Sequence, residues 1–313
     1  MAHLAACANV SPDSGFPVTL HPHFNPKIKD HVPPEPPHKE RIPAPDRGLF
    51  ADPEKKSLLS IPGIKVVPLT ESIGTVLENI QLSALTPQQL DELALLVNER
   101  GVVFFRSQDL TTEGQVKLFE HYGELDRHPS QKDTRHHVIR GSTIDHREIL
   151  AYTPWPSGDF HADTSFEINP PSYSMLRMEE HPPVGGDTAW VSSYGLYDAL
   201  SDAMKFVLAR FAELKKYEGD KVLDFLNYHI HAADDHYVRF KWEVGSVALW
   251  DNRAVVHRVI PGSYEAPRRG IRTTVFGEKP YFDPKSEGRL ERQKRLKAEK
   301  SNGNGVNGNG VDH

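Results

Sequence analysis

The chain has 313 residues, 38% of them hydrophobic and 26% charged, which is enough for one sizeable hydrophobic core. The formal net charge is −6, so no basic excess is available to displace phosphate counterions and we expect no nucleic-acid partner. The single cysteine, Cys7, excludes an internal disulfide and favours a reducing compartment. Residues 1–10 lack a signal-peptide pattern, and no apolar run reaches membrane-spanning length. We therefore expect a cytoplasmic protein without membrane contact.

Composition divides the chain into three regions. Residues 1–62 are rich in proline and charge, which predicts a partly disordered arm. This arm is either an inert tail or a segment that wraps a neighbouring subunit, so a homo-oligomer stays open. Residues 63–284 form the expected folded domain. Residues 285–313 begin as a charged helix candidate and end in an Asn/Gly-rich tail.

Two helices are predicted early in the central region. Thr86 begins a capping box that is followed by an apolar stripe, and Gly101 ends this first helix. The next four residues, 102–105, are all apolar and predict a buried strand. The second helix is predicted to start at Thr112, with Gln115 completing a capping box, and to stop at Gly123.

Strands dominate the remainder. They are expected at residues 173–178, 188–191, 237–242, 246–250 and 271–276. Short strands with little parallel βαβ rhythm predict a mainly β fold with flanking helices, in the form of a jelly-roll or cupin-like barrel.

The triplet His161-Ala162-Asp163 and the distant His257 are the candidate metal ligands. Two imidazoles and one carboxylate can hold a non-haem Fe(II) on one face and leave the other positions open. If the triplet lies on a strand, His161 and Asp163 point to the same side, and the third ligand comes from a different strand. Taken alone, the triplet is equally compatible with a partly exposed pair in a loop.

Five blocks surround these residues in a definite order. They read Gly-Asp-Phe-His-Ala-Asp-Thr-Ser-Phe at 158–166, Pro-Pro at 170–171, Gly-Gly-Asp-Thr-Ala-Trp at 185–190, Ala-Leu-Trp-Asp-Asn-Arg at 248–253, and Arg-Arg-Gly-Ile-Arg-Thr-Thr at 268–274 with Gly-Glu-Lys-Pro after it. From about residue 66 to 280 the chain resembles the taurine/2-oxoglutarate dioxygenase (TauD/TfdA-like) family. The resemblance implies a double-stranded β-helix that uses Fe(II), 2-oxoglutarate and O₂.

The resemblance also implies roles for individual residues. His161, Asp163 and His257 match the iron ligands. Thr188 and Arg268 match the contacts to 2-oxoglutarate, whose far carboxylate suits a guanidinium fork. The alternative for these two is an ordinary threonine and a solvated arginine on strands.

Four residues are candidates for substrate binding: His128, Gln131, Thr164 and Arg272. Arg272 matches a position that faces the substrate's anionic group, and His128 matches one that contacts the sulfonate in the taurine enzyme. Gln131 stands near where the family has a tyrosine, which argues against taurine itself. The alternative is a structural strand arginine and a turn histidine.

One region is shorter than the family pattern. Relatives usually carry several tens of residues where this chain runs directly through residues 217–221 into a helix-like stretch. Either the barrel is more open here, or residues are missing from this sequence.

The sequence thus predicts an enzyme that hydroxylates a small, anionic organic substrate of the sulfonate or sulfate-ester type, with succinate and CO₂ as coproducts. Two alternatives stay open: a tailoring oxygenase of specialised metabolism, and a degenerate, non-catalytic cupin-like binding barrel. Substrate choice depends on pocket shape, which the ligand pattern does not specify.

Overall fold

The computed structural model describes residues 40–126, 135–141, 160–260, 266–283 and 285–303. His128 and Gln131 therefore lie outside the described residues, as do most of the N-terminal arm and residues 304–313. In the described part, ten strands and seven helices alternate, with a few short 3-10 turns between them.

The strands are β1 (Lys65–Pro68), β2 (Thr75–Glu78), β3 (Val102–Phe105), β4 (His137–Gly141), β5 (Pro171–Glu180), β6 (Thr188–Ser192), β7 (Tyr237–Phe240), β8 (Val247–Asp251), β9 (Val255–Val259) and β10 (Arg268–Phe276). The helices are α1 (Lys56–Leu59), α2 (Pro87–Arg100), α3 (Thr112–Phe119), α4 (Ser193–Asp198), α5 (Asp202–Ala209), α6 (Lys216–His231) and α7 (Arg289–Gly303).

Two sheets make up the barrel. The larger one has the strand order β1-β2-β3-β8-β5-β10-β4, and the smaller one has the order β7-β6-β9. Every pairing is antiparallel except that of β2 with β3. Such a mainly antiparallel, two-sheet arrangement agrees with the predicted double-stranded β-helix.

The alternation of side chains in β3 divides the core. Val103 and Phe105 belong to a cluster that packs helix α2 against the outer face of the larger sheet. Val102 and Phe104 belong to a second cluster between the two sheets, together with Trp190. Because both faces of β3 are covered, all four of its residues are apolar and buried.

The first predicted helix is confirmed. For the second helix, the predicted N-cap is wrong. In α2, Thr86 Oγ1 accepts from Gln89 N at 3.3 Å and Gln89 Oε1 accepts from Thr86 N at 2.9 Å, so both bonds of the capping box are present. Helix α3 instead has Thr111 as its N-cap and ends at Phe119, before Gly123. Gln115 is buried and donates to Ile271 O at 3.0 Å, which ties the helix to β10.

Residues 40–62, which their composition assigned to the arm, pack against the barrel. Leu58 is fully buried in the cluster below α2. Arg47 forms a two-bond ion pair with Asp91 of α2, both bonds being 2.7 Å long. The proline-rich composition did not predict that this segment packs on the barrel, because the packing depends on isolated contacts rather than on a periodic apolar face.

Helices α5 and α6 lie around the shortened region and contain no buried residue. Among the helices of the described ranges, none combines the length and apolarity that crossing a bilayer requires.

Candidate active site

A short backbone pairing brings the two candidate histidines together. His161 forms an isolated antiparallel bridge with His257 of β9. His161 N donates to His257 O at 3.0 Å, and His257 N donates to His161 O at 2.8 Å. The ring centroids lie 4.4 Å apart. The distant candidate ligand thus lies on β9, which meets His161 through this isolated bridge.

Asp163 reaches the same point from a turn rather than from a strand, contrary to the strand placement considered for the triplet. Its Oδ1 lies 3.7 Å from His161 Nε2 and 3.9 Å from His257 Nε2. The three ligand atoms all lie within 4.8 Å of one another. This spacing allows one ion to contact all three side chains.

Burial and neighbouring charges shift the pKa values of Asp163 and His257 toward the protonation states that bind a cation. Burial alone would raise the pKa of Asp163, but the positive charges of Arg272, His257 and His161 outweigh it and lower that pKa to about 2. Burial lowers the pKa of His257 to about 3. At neutral pH the carboxylate is therefore ionised and the imidazole neutral, which are the states that bind a metal.

The donor set fits a divalent metal on a further ground. Asp163 Oδ2 is buried and has no hydrogen-bond partner among the described residues. Buried polar atoms in folded proteins are nearly always paired, and a bound ion can satisfy one that is not. His161 differs from the other two residues, because 53% of its side chain is exposed whereas Asp163 and His257 are buried.

A second group of side chains lies where β6 and β10 begin. Arg268 is 2% exposed, its Nε donates to Gly186 O at 2.9 Å, and its Nη2 donates to Thr188 Oγ1 at 3.4 Å. Trp242 Nε1 also donates to Thr188 Oγ1, at 2.9 Å. Thr188 and Arg268, eighty positions apart in the sequence, therefore share one buried location.

Gly186 allows this close approach. It has a φ of +71°, and a Cβ at this position would lie 3.0 Å from Arg268 Cδ. Arg269, by contrast, points away from the interior and pairs with Glu179 and Glu180. Of the two adjacent arginines, Arg268 therefore directs its guanidinium into the interior, and Arg269 directs its guanidinium toward the surface.

Arg272 of β10 joins the metal-ligand group. Its Nη1 donates to Asp163 Oδ1 at 2.6 Å, and its Nη2 lies 3.2 Å from His137 Nδ1. Thr164 follows Asp163 with a left-handed φ of +41°, and its buried hydroxyl has no partner among the described residues.

Sequence reasoning missed His137, Trp242 and Asn252. Each acts through a contact with a residue far away in the chain, and none lies in a metal-ligand spacing. The Trp-Asp-Asn-Arg block at 250–253 supported the resemblance, but its chemistry gave no sign that Asn252 bonds to Asp163.

A double-stranded β-helix with a His-Asp-His cluster and an inward arginine defines a 2-oxoglutarate-dependent, non-haem iron dioxygenase. The model of the "Taurine catabolism dioxygenase TauD, TfdA family" matches residues 65–211 and 207–274. The chain therefore belongs to the TauD/TfdA family, and it uses Fe(II), 2-oxoglutarate and O₂.

Three relatives illustrate the similarity. A Schizosaccharomyces pombe protein, provisionally named an alpha-ketoglutarate-dependent sulfonate dioxygenase, is 31% identical over 79% of this chain and 78% of its own length. The Saccharomyces cerevisiae alpha-ketoglutarate-dependent sulfonate dioxygenase is 28% identical over 71% of this chain and 69% of its own length. The crystal structure of a taurine dioxygenase from Burkholderia xenovorans superposes with a TM-score of 0.59 at 27% identity, covering 69% of this chain and 92% of that one.

The alignments also bear on the shortened region. The two family matches meet at residues 207–211, a few residues before the short stretch at 217–221. The alignment to the S. pombe relative spans 309 positions, whereas 79% of this chain is about 247 residues, so about sixty of those positions have no counterpart here. In the described part, the smaller sheet has three strands.

Proposed function

We propose that this dioxygenase hydroxylates a small organic anion, of the sulfonate or sulfate-ester type, at a centre built by His161, Asp163 and His257. The observation that carries the proposal is the convergence of these three side chains beside the Arg272 guanidinium. The names of the two fungal relatives support the substrate class.

In this proposal the three residues bind Fe(II) on one face. When bound, iron supplies the chemistry that couples O₂ and 2-oxoglutarate to oxidation of the substrate. Asp163 contributes the single negative charge of the ligand set, and the neutral state of His257 leaves its nitrogen free of a competing proton.

We assign Arg268 and Thr188 to the far carboxylate of 2-oxoglutarate. Arg268 is buried and lies beside the Thr188 hydroxyl, so it can offer a carboxylate charge-assisted bonds away from water. Gly186 O holds Nε of the same side chain. This contact orients the guanidinium before the cosubstrate arrives.

Arg272 is the proposed contact for the substrate's anionic group. In the structure Arg272 forms an ion pair with Asp163, which is also one of the proposed iron ligands. Once a dication takes that carboxylate, the largely buried Arg272 is poorly compensated, and an uncompensated buried charge costs several kcal/mol. An anionic substrate offsets this cost. His128, Gln131 and Thr164 remain candidates to complete the pocket.

A second candidate is a tailoring oxygenase acting on a larger molecule of specialised metabolism. The half-exposed side chain of His161 favours it, because a substrate could extend from that side into solvent. The intact ligand cluster counts against a non-catalytic barrel.

We also propose a cytoplasmic location, because a lone cysteine suits a reducing compartment in which Fe(II) persists. Cell fractionation with an epitope-tagged chain tests it, and recovery in an oxidising compartment would contradict it.

The function is tested with a panel of sulfonates, alkyl sulfates, carboxylates and neutral analogues, incubated with protein, Fe(II), 2-oxoglutarate and O₂. Hydroxylation at the carbon that bears the sulfonate or sulfate group gives an unstable product that should break down to an aldehyde and sulfite or sulfate, while 2-oxoglutarate is converted to succinate and CO₂. Turnover confined to neutral compounds would contradict the anion site. An absence of Fe(II)-dependent succinate with every compound would support the non-catalytic barrel.

A further inference from the structure

We propose that Asn252 is a positioning residue that holds the backbone of Asp163 so that its carboxylate faces the two histidines. This inference rests on the proposed role of Asp163 as a metal ligand. It adds a residue that acts only through the ligand's main chain.

The Asn252 side chain forms hydrogen bonds with both the backbone N–H and the backbone C=O of Asp163. Its Oδ1 accepts from Asp163 N at 2.8 Å, and its Nδ2 donates to Asp163 O at 3.1 Å. The same Nδ2 donates to Pro171 O at 3.2 Å. Asn252 is 3% exposed, so these bonds are made away from water. A carboxamide has the acceptor and the two donors that these three contacts need.

Asp163 needs these hydrogen bonds because regular secondary structure does not hold its backbone in place. It sits in a turn and, in the described part of the chain, takes part in no strand ladder. The next residue, Thr164, adopts a left-handed φ of +41°, which is unfavourable for a β-branched residue. The surrounding structure must therefore impose this turn, and Asn252 supplies two of the bonds that do so.

Asn252 is itself fixed on both sides. Its backbone N donates to Ser172 O at 2.7 Å, at the start of β5. The preceding Asp251 is buried and ends β8. The following Arg253 donates to Asp46 Oδ2 at 2.6 Å and to Asp251 Oδ1 at 2.8 Å. The position of Asp163 is thereby tied to the larger sheet and to residues 40–62.

The chain contains a matched control. Asn169 is also buried, and its Oδ1 accepts from Arg41 N at 2.8 Å while its Nδ2 donates to Arg41 O at 3.1 Å and to Gly277 O at 2.9 Å. Asn169 bonds to the backbone of Arg41 in the same way that Asn252 bonds to the backbone of Asp163, but Arg41 is not a candidate metal ligand. A purely structural role predicts the same consequences for both asparagines.

The experiment compares Asn252→Ala with Asn169→Ala in the full chain. Co(II) is titrated into metal-free protein and followed by its absorption spectrum, and thermal unfolding of the metal-free protein is recorded in parallel. We expect both variants to lose thermal stability and only Asn252→Ala to lose Co(II) affinity, by about tenfold or more. Asn252→Ser, which keeps one hydrogen-bonding group, should fall in between and serves if the alanine variant does not fold.

The outcomes separate the two hypotheses. Wild-type Co(II) affinity in folded Asn252 variants, or an equal loss in Asn169→Ala, would overturn the positioning role and leave the ligand assignment standing. Failure of the wild-type protein to bind Co(II) would overturn the ligand assignment and this inference with it.

Discussion

Arg272 donates a 2.6 Å hydrogen bond to Asp163, so the proposed anion-binding residue and a proposed iron ligand are directly paired. Both side chains are largely buried. The pair means that Asp163 is never left as an isolated buried charge when no metal is bound, which would be unfavourable. If Asp163 binds the metal and Arg272 binds the substrate anion, as proposed, the two binding events are coupled through one carboxylate.

Replacing Arg272 should separate substrate binding from cosubstrate use. Arg272→Ala removes the charge-assisted contact, worth about 1.5–3 kcal/mol, so we expect the KM for an anionic substrate to rise by about tenfold or more. Succinate formation without substrate should persist. Steady-state kinetics with and without substrate measure both effects. A KM unchanged in Arg272→Ala would remove this residue from the substrate site.

The two adjacent arginines of β10 should differ sharply. Arg268→Ala should raise the 2-oxoglutarate concentration needed for half-maximal rate by about tenfold or more, because the buried guanidinium is lost. Arg269→Ala is the control, since this side chain is 41% exposed and pairs with Glu179 and Glu180. Exposed ion pairs contribute little, so its kinetics should stay near wild type. The reverse pattern would place the cosubstrate on the other face of β10.

Thr188 should matter through its hydroxyl. Thr188→Val keeps the shape but removes the acceptor for Trp242 Nε1 and for Arg268. We expect a loss of about 1–3 kcal/mol in the free energy of unfolding, from the unpaired indole N–H, and weaker use of 2-oxoglutarate. Thr188→Ser should retain most of both properties. Urea unfolding and 2-oxoglutarate titration test this, and equal behaviour of the two variants would contradict it.

The Arg47–Asp91 pair should stabilise the fold in a pH-dependent manner. Burial alone would raise the pKa of Asp91, but hydrogen bonds and charges from Arg47 and His121 lower it below its ordinary value. A carboxyl with a lowered folded pKa contributes its full stability above the unfolded pKa, near 4, and loses it as the pH falls through the folded value. Asp91→Asn should therefore cost about 1.5–3 kcal/mol at pH 7 and less near pH 3.

Urea unfolding at pH 7, 5 and 3 measures the effect of Asp91→Asn. Glu78→Gln is the control, because its pair with Lys65 is exposed and should contribute under about 1 kcal/mol. A difference between wild type and Asp91→Asn that does not change with pH would indicate lost packing rather than a lost charge.

Local patterns predicted the elements that depend on local physics. The capping box at Thr86 involves residues three apart, so the sequence alone specified where α2 begins. The four apolar residues of β3 likewise indicated a strand covered on both faces. Strand β5 runs from Pro171 to Glu180 rather than over the predicted residues 173–178, because the charged Glu179 continues it. This charge is tolerated because Glu179 accepts from Arg177, which also donates to Gln115.

Contacts between distant residues limited the rest. Strand β9, which carries His257, was not among the predicted strands, because five residues with a histidine and an arginine among them give a weak signal. The bridge between His161 and His257 and the grip of Asn252 on Asp163 each join residues about ninety positions apart. The residue types of the site were thus predictable, but the bonds that orient them were not.

The half-exposed His161 has a consequence for how the centre acquires its metal. A ligand open to solvent gives ions a path to enter and leave while Asp163 and His257 stay buried. Sites of two imidazoles and a carboxylate bind Co(II), Ni(II) and Cu(II) more tightly than Fe(II) in the usual affinity order of first-row metals. We therefore expect the occupant of the proposed site to follow the supply of exchangeable metal around the protein, and purification in the presence of a competing ion to give an intact but inactive enzyme.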